Sequence, residues 1–271
     1  MSAIKTRTAP ALFNALRILD LLSMYPSGLT LADLVSQAEV AKSSAHYLLV
    51  TLERCGYVHR NARSGRYQLG IKLYSVANQA LGSLGVRQRC ASYLAGLRLR
   101  TKLTAHLAIF DRTEIVLVAK FESARGAQLA SWIGKRMDMH CTGLGKAVLA
   151  YLPSEEVELI LGKHGLARRN ENTICTRKRL YEELNQVLKT GYAIDNEEDE
   201  LGIRCMGAPI LGLDGRPMAA ISISGAVHEL PAEEIPRLSS ELLLTAKMMS
   251  RDVIDAIPKS IAPEALKSIA C

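Results

Sequence analysis

Two groups of side chains in this chain have the chemistry to bind something. The first is Lys42, Ser43, Ser44, His46 and Tyr47, a compact set of hydrogen-bond donors, acceptors and one cation. Between and beyond them, Ala45, Leu48, Leu49 and Leu52 fall at i, i+3, i+4 and i+7. That spacing commits one face of a helix to a core and leaves the polar set outside. Such a surface suits the phosphates and base edges of a DNA major groove. Downstream, Arg60, Arg63 and Arg66 lie on or near an expected hairpin, where guanidinium groups can grip the sugar-phosphate backbone. The plainer alternative is a small helical subdomain with a solvated hairpin.

The second group is spread over the C-terminal two-thirds. Gly143-Leu144-Gly145-Lys146 resembles a phosphate loop in part, but residue 140 is His where the loop needs Gly, and Ala147 lacks the magnesium-binding hydroxyl. The glycines can instead leave backbone N–H groups free for an anion such as a carboxylate, or serve tight packing alone. The acidic run Asp195 to Glu200 contains no His and reads as a solvated loop rather than a metal site, with Asp195 the member expected to face inward. Ser222 and Ser224 stand two apart on an expected strand, so both hydroxyls share one face. Together with Cys205 they would make a polar floor for a small ligand; otherwise they are solvent-facing. A cysteine nucleophile, Cys141 or Cys205, needs a base, and His106, His140, His164 and His228 stand in no recognisable relation to either. No metal ligands and no cofactor are read from the sequence.

The elements that must position these groups are legible in outline. Pro10 opens a helix that ends before Pro26. Thr30 and Asp33 form a capping-box variant for a helix over 31–38. A turn at 39–41 precedes a second helix over 42–54, and strands at 57–60 and 66–69 flank a Ser-Gly turn. Residues 71–100 read as helical, interrupted at Gly82 or Gly85. Strand-like runs follow at 103–110, 114–120, 192–196, 204–211 and 217–224. Helices are expected at 144–151, at 154–161 capped by Ser154, at 177–189 capped by Thr176, and over 232–257. Hairpin-linked strands with segregated helices predict an α+β domain on an antiparallel sheet.

Composition agrees with this division. The chain has 271 residues and a formal charge of +7, with 48% hydrophobic and 23% charged residues, ordinary for a globular protein. Residues 1–75 hold nine Lys/Arg against four Asp/Glu, whereas the remainder holds twenty-five against twenty-three. The excess positive charge therefore sits with the helix-turn-helix pattern, as a nucleic-acid partner favours. Six cysteines without CxxC spacing predict free thiols in a reducing cytoplasm. No apolar run approaches the ~20 residues of a membrane span, and residues 1–9 are expected to be disordered.

From about Leu12 to Ile257 the chain resembles the IclR-type transcriptional regulators. The N-terminal motifs are Ala15–Leu19, Leu29–Leu34, Lys42–Leu49, Gly56-Tyr57-Val58 and Gly65–Gly70. The C-terminal motifs are His140–Ala147, Gly191–Asp195, Glu197-Glu198, Gly202–Cys205 and Ala220–Gly225. The resemblance implies a winged helix-turn-helix DNA-binding domain (9–72), a linker helix (73–96), an effector-binding domain built on an antiparallel sheet with flanking helices (97–258), and a tail (259–271). It also implies a cytoplasmic regulator, with repression favoured, that binds operator DNA as a homodimer or dimer of dimers. A small carboxylic acid, oxo-acid or aldehyde is the implied effector, held by N–H groups of Gly143 and Leu144 and side chains of Asp195, Cys205, Ser222 and Ser224. Three residues depart from the family pattern: Ala41 for a frequent Pro, Tyr47 for a frequent Arg, and Asp138 for Pro. The competing expectations are an enzyme with a Cys nucleophile fused to a DNA-binding domain, and an oligomerisation module without ligand.

Overall fold

The computed structural model describes residues 9–124, 126–252 and 255, with the backbone alone at 81–84. Expectations for 1–8, the tail 259–271 and residues 253, 254, 256 and 257 of the last helix lie outside these. The chain divides into two compact units between Ser83 and Leu84.

The first unit contains α1 (Pro10–Ser23), α2 (Leu31–Ala38), α3 (Lys42–Arg54), the strands β1 (Val58–Arg60) and β2 (Tyr67–Leu69), and α4 (Ile71–Leu84). The capping box is formed in full: Thr30 N donates to Asp33 Oδ2 at 2.9 Å, and Asp33 N donates to Thr30 Oγ1 at 3.2 Å. Glu39 takes a left-handed conformation and ends α2. Ile18, Leu34, Ala45, Leu49, Val58 and Tyr67 make the core, so α3 buries the face that its spacing predicts. The hairpin is anchored to the body by reciprocal bonds between the backbones of Leu29 and Tyr67.

The predicted 71–100 segment is two helices, because Gly85 adopts φ +61° and stops the first; α5 (Val86–Thr101) then begins the second unit. Six antiparallel strands follow in spatial order β5-β4-β3-β8-β7-β6. They are β3 (Thr104–Asp111), β4 (Glu114–Phe121), β5 (Arg136–Met137), β6 (Ala193–Asn196), β7 (Ile203–Leu211) and β8 (Pro217–Ala226). Three helices, α6 (Gly143–Leu149), α7 (Ser154–His164) and α8 (Arg177–Thr190), share a core with Ala108, Phe110, Leu117 and Ala220 on one sheet face. The alternate residues Leu107, Ile109, Ile221 and Ile223 are buried too, and α5 and α9 (Ile235–Asp252) pack against β3, β7 and β8. A sheet covered on both faces explains why these strands read as continuous apolar runs.

Two local expectations are corrected. Ser154 is the first residue of α7 and caps nothing; Pro153 holds the cap position, where its fixed φ and missing N–H cost little. The last helix opens as a 3-10 turn over Ala232–Glu234 before α9, which puts Pro236 in the first α-helical turn where no N–H is required. The Thr176 cap of α8 is formed, Thr176 Oγ1 accepting from Arg179 N.

Gly207 on β7 and Gly143 at the start of α6 touch backbone to backbone. A Cβ at Gly207 would stand 2.2 Å from the Gly143 carbonyl oxygen, so Gly207→Ala must push α6 off the sheet. We expect a loss of about 1–3 kcal/mol in urea unfolding. Gly162, inside α7 with open space around its missing Cβ, provides the contrast: Gly162→Ala should stabilise by about 0.5–1 kcal/mol.

Candidate functional site

On the first unit, Lys42, Ser43, Ser44, His46 and Tyr47 are all exposed on α3, Tyr47 at 78%. Lys42 and His46 share a groove of about 550 Å³ with Thr30 and Ser36 of the α2 region and with Arg60 and Tyr67 of the hairpin. Arg60 lies over the Tyr67 ring at 5.4 Å and bonds the Gly65 carbonyl, so its cation is held in place facing that groove. Asn61 Oδ1 accepts from the amides of Arg63 and Ser64 at 3.0 Å each, which fixes the turn and leaves Arg63 exposed at its tip. Arg66 differs: it donates to the Gly28 carbonyl at 2.8 Å and lies 4.0 Å from Asp33. Part of its donor capacity ties the wing to the start of α2.

In the second unit, Gly143, Leu144, Asp195, Cys205, Ser222 and Ser224 line one cavity of about 50 Å³. Strand register explains their meeting. Asp195 is opposite Cys205, Cys205 opposite Ser224, Gly207 opposite Ser222, and Ser222 opposite His106. Two rows across four strands thus carry the polar floor, and the first turn of α6 closes over it. Ser222 and Ser224 are buried, so the solvent-facing alternative does not hold.

The cavity also takes His106, Ser131, Lys135, Thr142, Asp199 and Glu200, with an apolar wall that includes Leu117 and Met137. His106 bridges Ser131 Oγ at 3.1 Å and Ser222 Oγ at 3.3 Å. Burial, with the nearby Lys120 and Lys135, pulls its pKa down to about 3, so the ring is neutral and its two nitrogens serve as one donor and one acceptor. Nothing in the spacing of His106 marks this; only the pairing of β3 with β8 does.

Asp195 Oδ1 accepts from the amides of Glu198 at 2.8 Å and Asp199 at 3.4 Å. Burial nevertheless pushes the carboxyl up to about 7, against the pull of the Glu198 amide. Burial, followed by the Asp195 charge, drives the Cys205 thiol well above its ordinary range. Cys141 is also raised, by burial and then by Asp199 and Asp138. Neither thiol is poised as a thiolate, which argues against the cysteine-nucleophile expectation.

Asp138, the departure before the loop, accepts from Arg169 Nε at 2.7 Å, and its carbonyl accepts from Thr142 Oγ1. Thr142 Oγ1 in turn accepts from Gly145 N and caps α6. Asp138, Cys141 and Asp199 bring ligand atoms within 4.8 Å of one another, but Arg169 supplies the cation there. Within α6, Lys146 is completely buried. Its ammonium donates to Glu198 Oε1 and the Ile194 carbonyl at 2.5 Å each and to Glu183 Oε1 at 3.2 Å. It is a structural cation rather than the phosphate ligand of a nucleotide loop.

A winged helix-turn-helix unit followed by a sheet domain with a small polar cavity is the architecture of a DNA-binding transcriptional regulator. Residues 11–62 match the IclR helix-turn-helix domain and residues 78–251 match the bacterial transcriptional regulator IclR C-terminal domain. The chain belongs to the IclR family of transcriptional regulators. It is 33% identical over 238 residues to the HTH-type transcriptional regulator XynR of Escherichia coli K12, covering 88% of this chain and 94% of that one. It is 31% identical over 246 residues to the DNA-binding transcriptional repressor YiaJ of the same organism, covering 90% and 87%. An IclR homologue from Microbacterium hydrocarbonoxydans complexed with 4-hydroxybenzoate shares the fold, with a TM-score of 0.75 at 20% identity over 90% of this chain and 98% of that one.

The raised Asp195 carboxyl has a consequence for stability. The folded state keeps this proton up to about pH 7, whereas an ordinary aspartate carboxyl releases it near pH 3.8. Its contribution is therefore complete below about pH 4 and is lost as pH rises through 7. Asp195→Asn keeps an oxygen for the Glu198 amide and cannot ionise. Urea midpoints measured from pH 4 to 8 should fall less steeply in that variant than in the wild type.

Proposed function

We propose that this protein represses transcription by binding operator DNA through α3 and the wing, and that a small carboxylic or oxo-acid, or the related aldehyde, sets its occupancy. The observation that carries the effector half is the convergence of Gly143, Leu144, Asp195, Cys205, Ser222 and Ser224 on one cavity. Neutral hydroxyls, a neutral imidazole and a carboxyl that is half protonated near pH 7 can together accept and donate hydrogen bonds to a carboxylate or carbonyl. The first-turn amides of α6 supply further donors. Since one water requires roughly 10–15 Å³ of such space, about 50 Å³ suits a ligand of a few heavy atoms. The 4-hydroxybenzoate bound by the Microbacterium homologue is itself a carboxylate, and the repressor reading follows the name of YiaJ.

Binding to DNA is supported by the exposed polar face of α3 and the excess of basic residues in the first 75 positions. Lys42, Ser43, Ser44, His46 and Tyr47 are assigned to the major groove, and Arg60, Arg63 and Arg66 to the backbone, Arg66 with the smaller share. Operator half-sites call for a dimer or a dimer of dimers, and Leu12, Phe13 and Leu16 on α1 with Ile71 and Tyr74 on α4 are more than half exposed, as a second copy would require. No helix among the described residues is long and apolar enough to cross a membrane, and a DNA partner supports a cytoplasmic location.

Gel-shift titrations on a selected operator and on random DNA separate the two roles. Arg63→Ala should weaken both equally and reduce the salt slope by about one, whereas Tyr47→Ala should change sequence preference; equal effects of both variants on both DNAs would refute the assignment. Thermal-shift screening with glyoxylate, pyruvate and 4-hydroxybenzoate tests the cavity. A ligand that binds the folded state must raise Tm; its affinity should increase as pH falls through about 7 and Asp195 loses its charge, and should weaken in Ser222→Ala.

A further inference from the structure

The three donors of the buried Lys146 ammonium have three acceptors, and two of them bracket Asp195. Ile194, whose carbonyl accepts at 2.5 Å, directly precedes it. Glu198, whose Oε1 accepts at 2.5 Å, donates its own amide to Asp195 Oδ1 at 2.8 Å. Lys146 itself stands in α6, whose first residues Gly143 and Leu144 form the opposite edge of the cavity. One ammonium therefore spans both edges of the cavity without lining it. The turn it grips is held from the outside as well, by Thr173 Oγ1 and Asn170 Nδ2 on the Glu198 carbonyl. Glu198 Oε2 is buried without a partner, so the second oxygen of that carboxylate relies on the same cation for compensation.

We propose that Lys146 is a positioning residue of the effector cavity: through Glu198 and the Ile194 carbonyl it sets where Asp195 stands relative to Gly143 and Leu144. This rests on the cavity being the effector site. The charged and titratable groups acting on Asp195 are Glu198 and Asp199 on its own turn, Lys146 on α6 and Cys205 on β7. His106 on β3 is neutral, and Lys135 and Glu200 stand on the cavity wall. Removing the cation and removing the anion must then move the Asp195 proton in opposite directions. A trio that merely stabilised the fold would, on losing either member, loosen the turn and admit water, moving the proton in the same direction both times.

The test uses the full-length protein without ligand, labelled with 13C-aspartate, with the Asp195 resonance assigned by its loss in Asp195→Asn. In Lys146→Met the titration midpoint should rise by about one pH unit, and in Glu198→Gln it should fall by about as much. Shifts of the same sign, or no shift in either variant, would overturn the proposal. If Lys146→Met does not fold, the double variant Lys146→Met/Glu198→Gln takes its place, since it leaves no lone buried charge. Its midpoint should lie about one unit above that of Glu198→Gln; a midpoint at or below that of the single variant overturns the proposal. Failure of every carboxylate to raise Tm would instead count against the effector reading and would leave this titration to be judged by itself.

Discussion

A lysine with no exposed surface can stay charged only if its surroundings replace water completely, and Lys146 has that arrangement. Stripping an ammonium of solvent costs several kcal/mol, recovered only when geometry and hydrogen bonding are nearly complete. Here one carbonyl and two carboxylates satisfy all three N–H donors. Loss of any partner leaves a buried N–H donor without its acceptor, so α6, the 194–198 segment and α8 are held to one mutual arrangement. The close backbone contact of Gly143 with Gly207 then sets the height of α6 over the sheet. Together these two constraints determine the shape of the cavity.

Strand register does the rest. Each row across β6, β7, β8 and β3 places side chains from distant parts of the chain within reach, and a slip of one residue would turn every one of them to the other face. Apolar residues such as Ile221 and Ile223, buried on that other face, make the slip prohibitive. The same alternation that builds the core thereby fixes the polar floor. The cavity here depends on hydrophobic patterning as much as on the polar residues themselves.

What could be read from the sequence followed the same physics. Period-two spacing placed Ser222 and Ser224 on one face, and period-3.6 spacing gave the buried side of α3, because both signals are local. The Thr30 and Thr176 caps were legible for the same reason. His106 was not, since its partners arrive from residues 131 and 222. Ser131 and Lys135 come from the irregular connection between β4 and β5, which has no periodicity to read. Lys146 follows Gly-Leu-Gly, where His140 and Ala147 already argue against a phosphate loop, but only burial reveals a structural cation. Arg66 reads in the sequence as one more wing charge, because its bond to the Gly28 carbonyl spans 38 residues.

The chemistry of the cavity suits reversible binding of a small polar ligand. A cysteine nucleophile must be ionised, and a general base works best when it titrates near the working pH. The Cys205 and Cys141 thiols are held protonated by burial and neighbouring carboxylates, and His106 remains neutral far below neutrality. Asp195 titrates near 7, and its Oδ1 is engaged by the amides of its own turn. These groups can offer and accept hydrogen bonds without forming or breaking covalent bonds. A switch needs reversible occupancy, in which the ligand leaves unchanged when its concentration falls. Burial contributes to that property here by keeping the Cys141 and Cys205 thiols protonated.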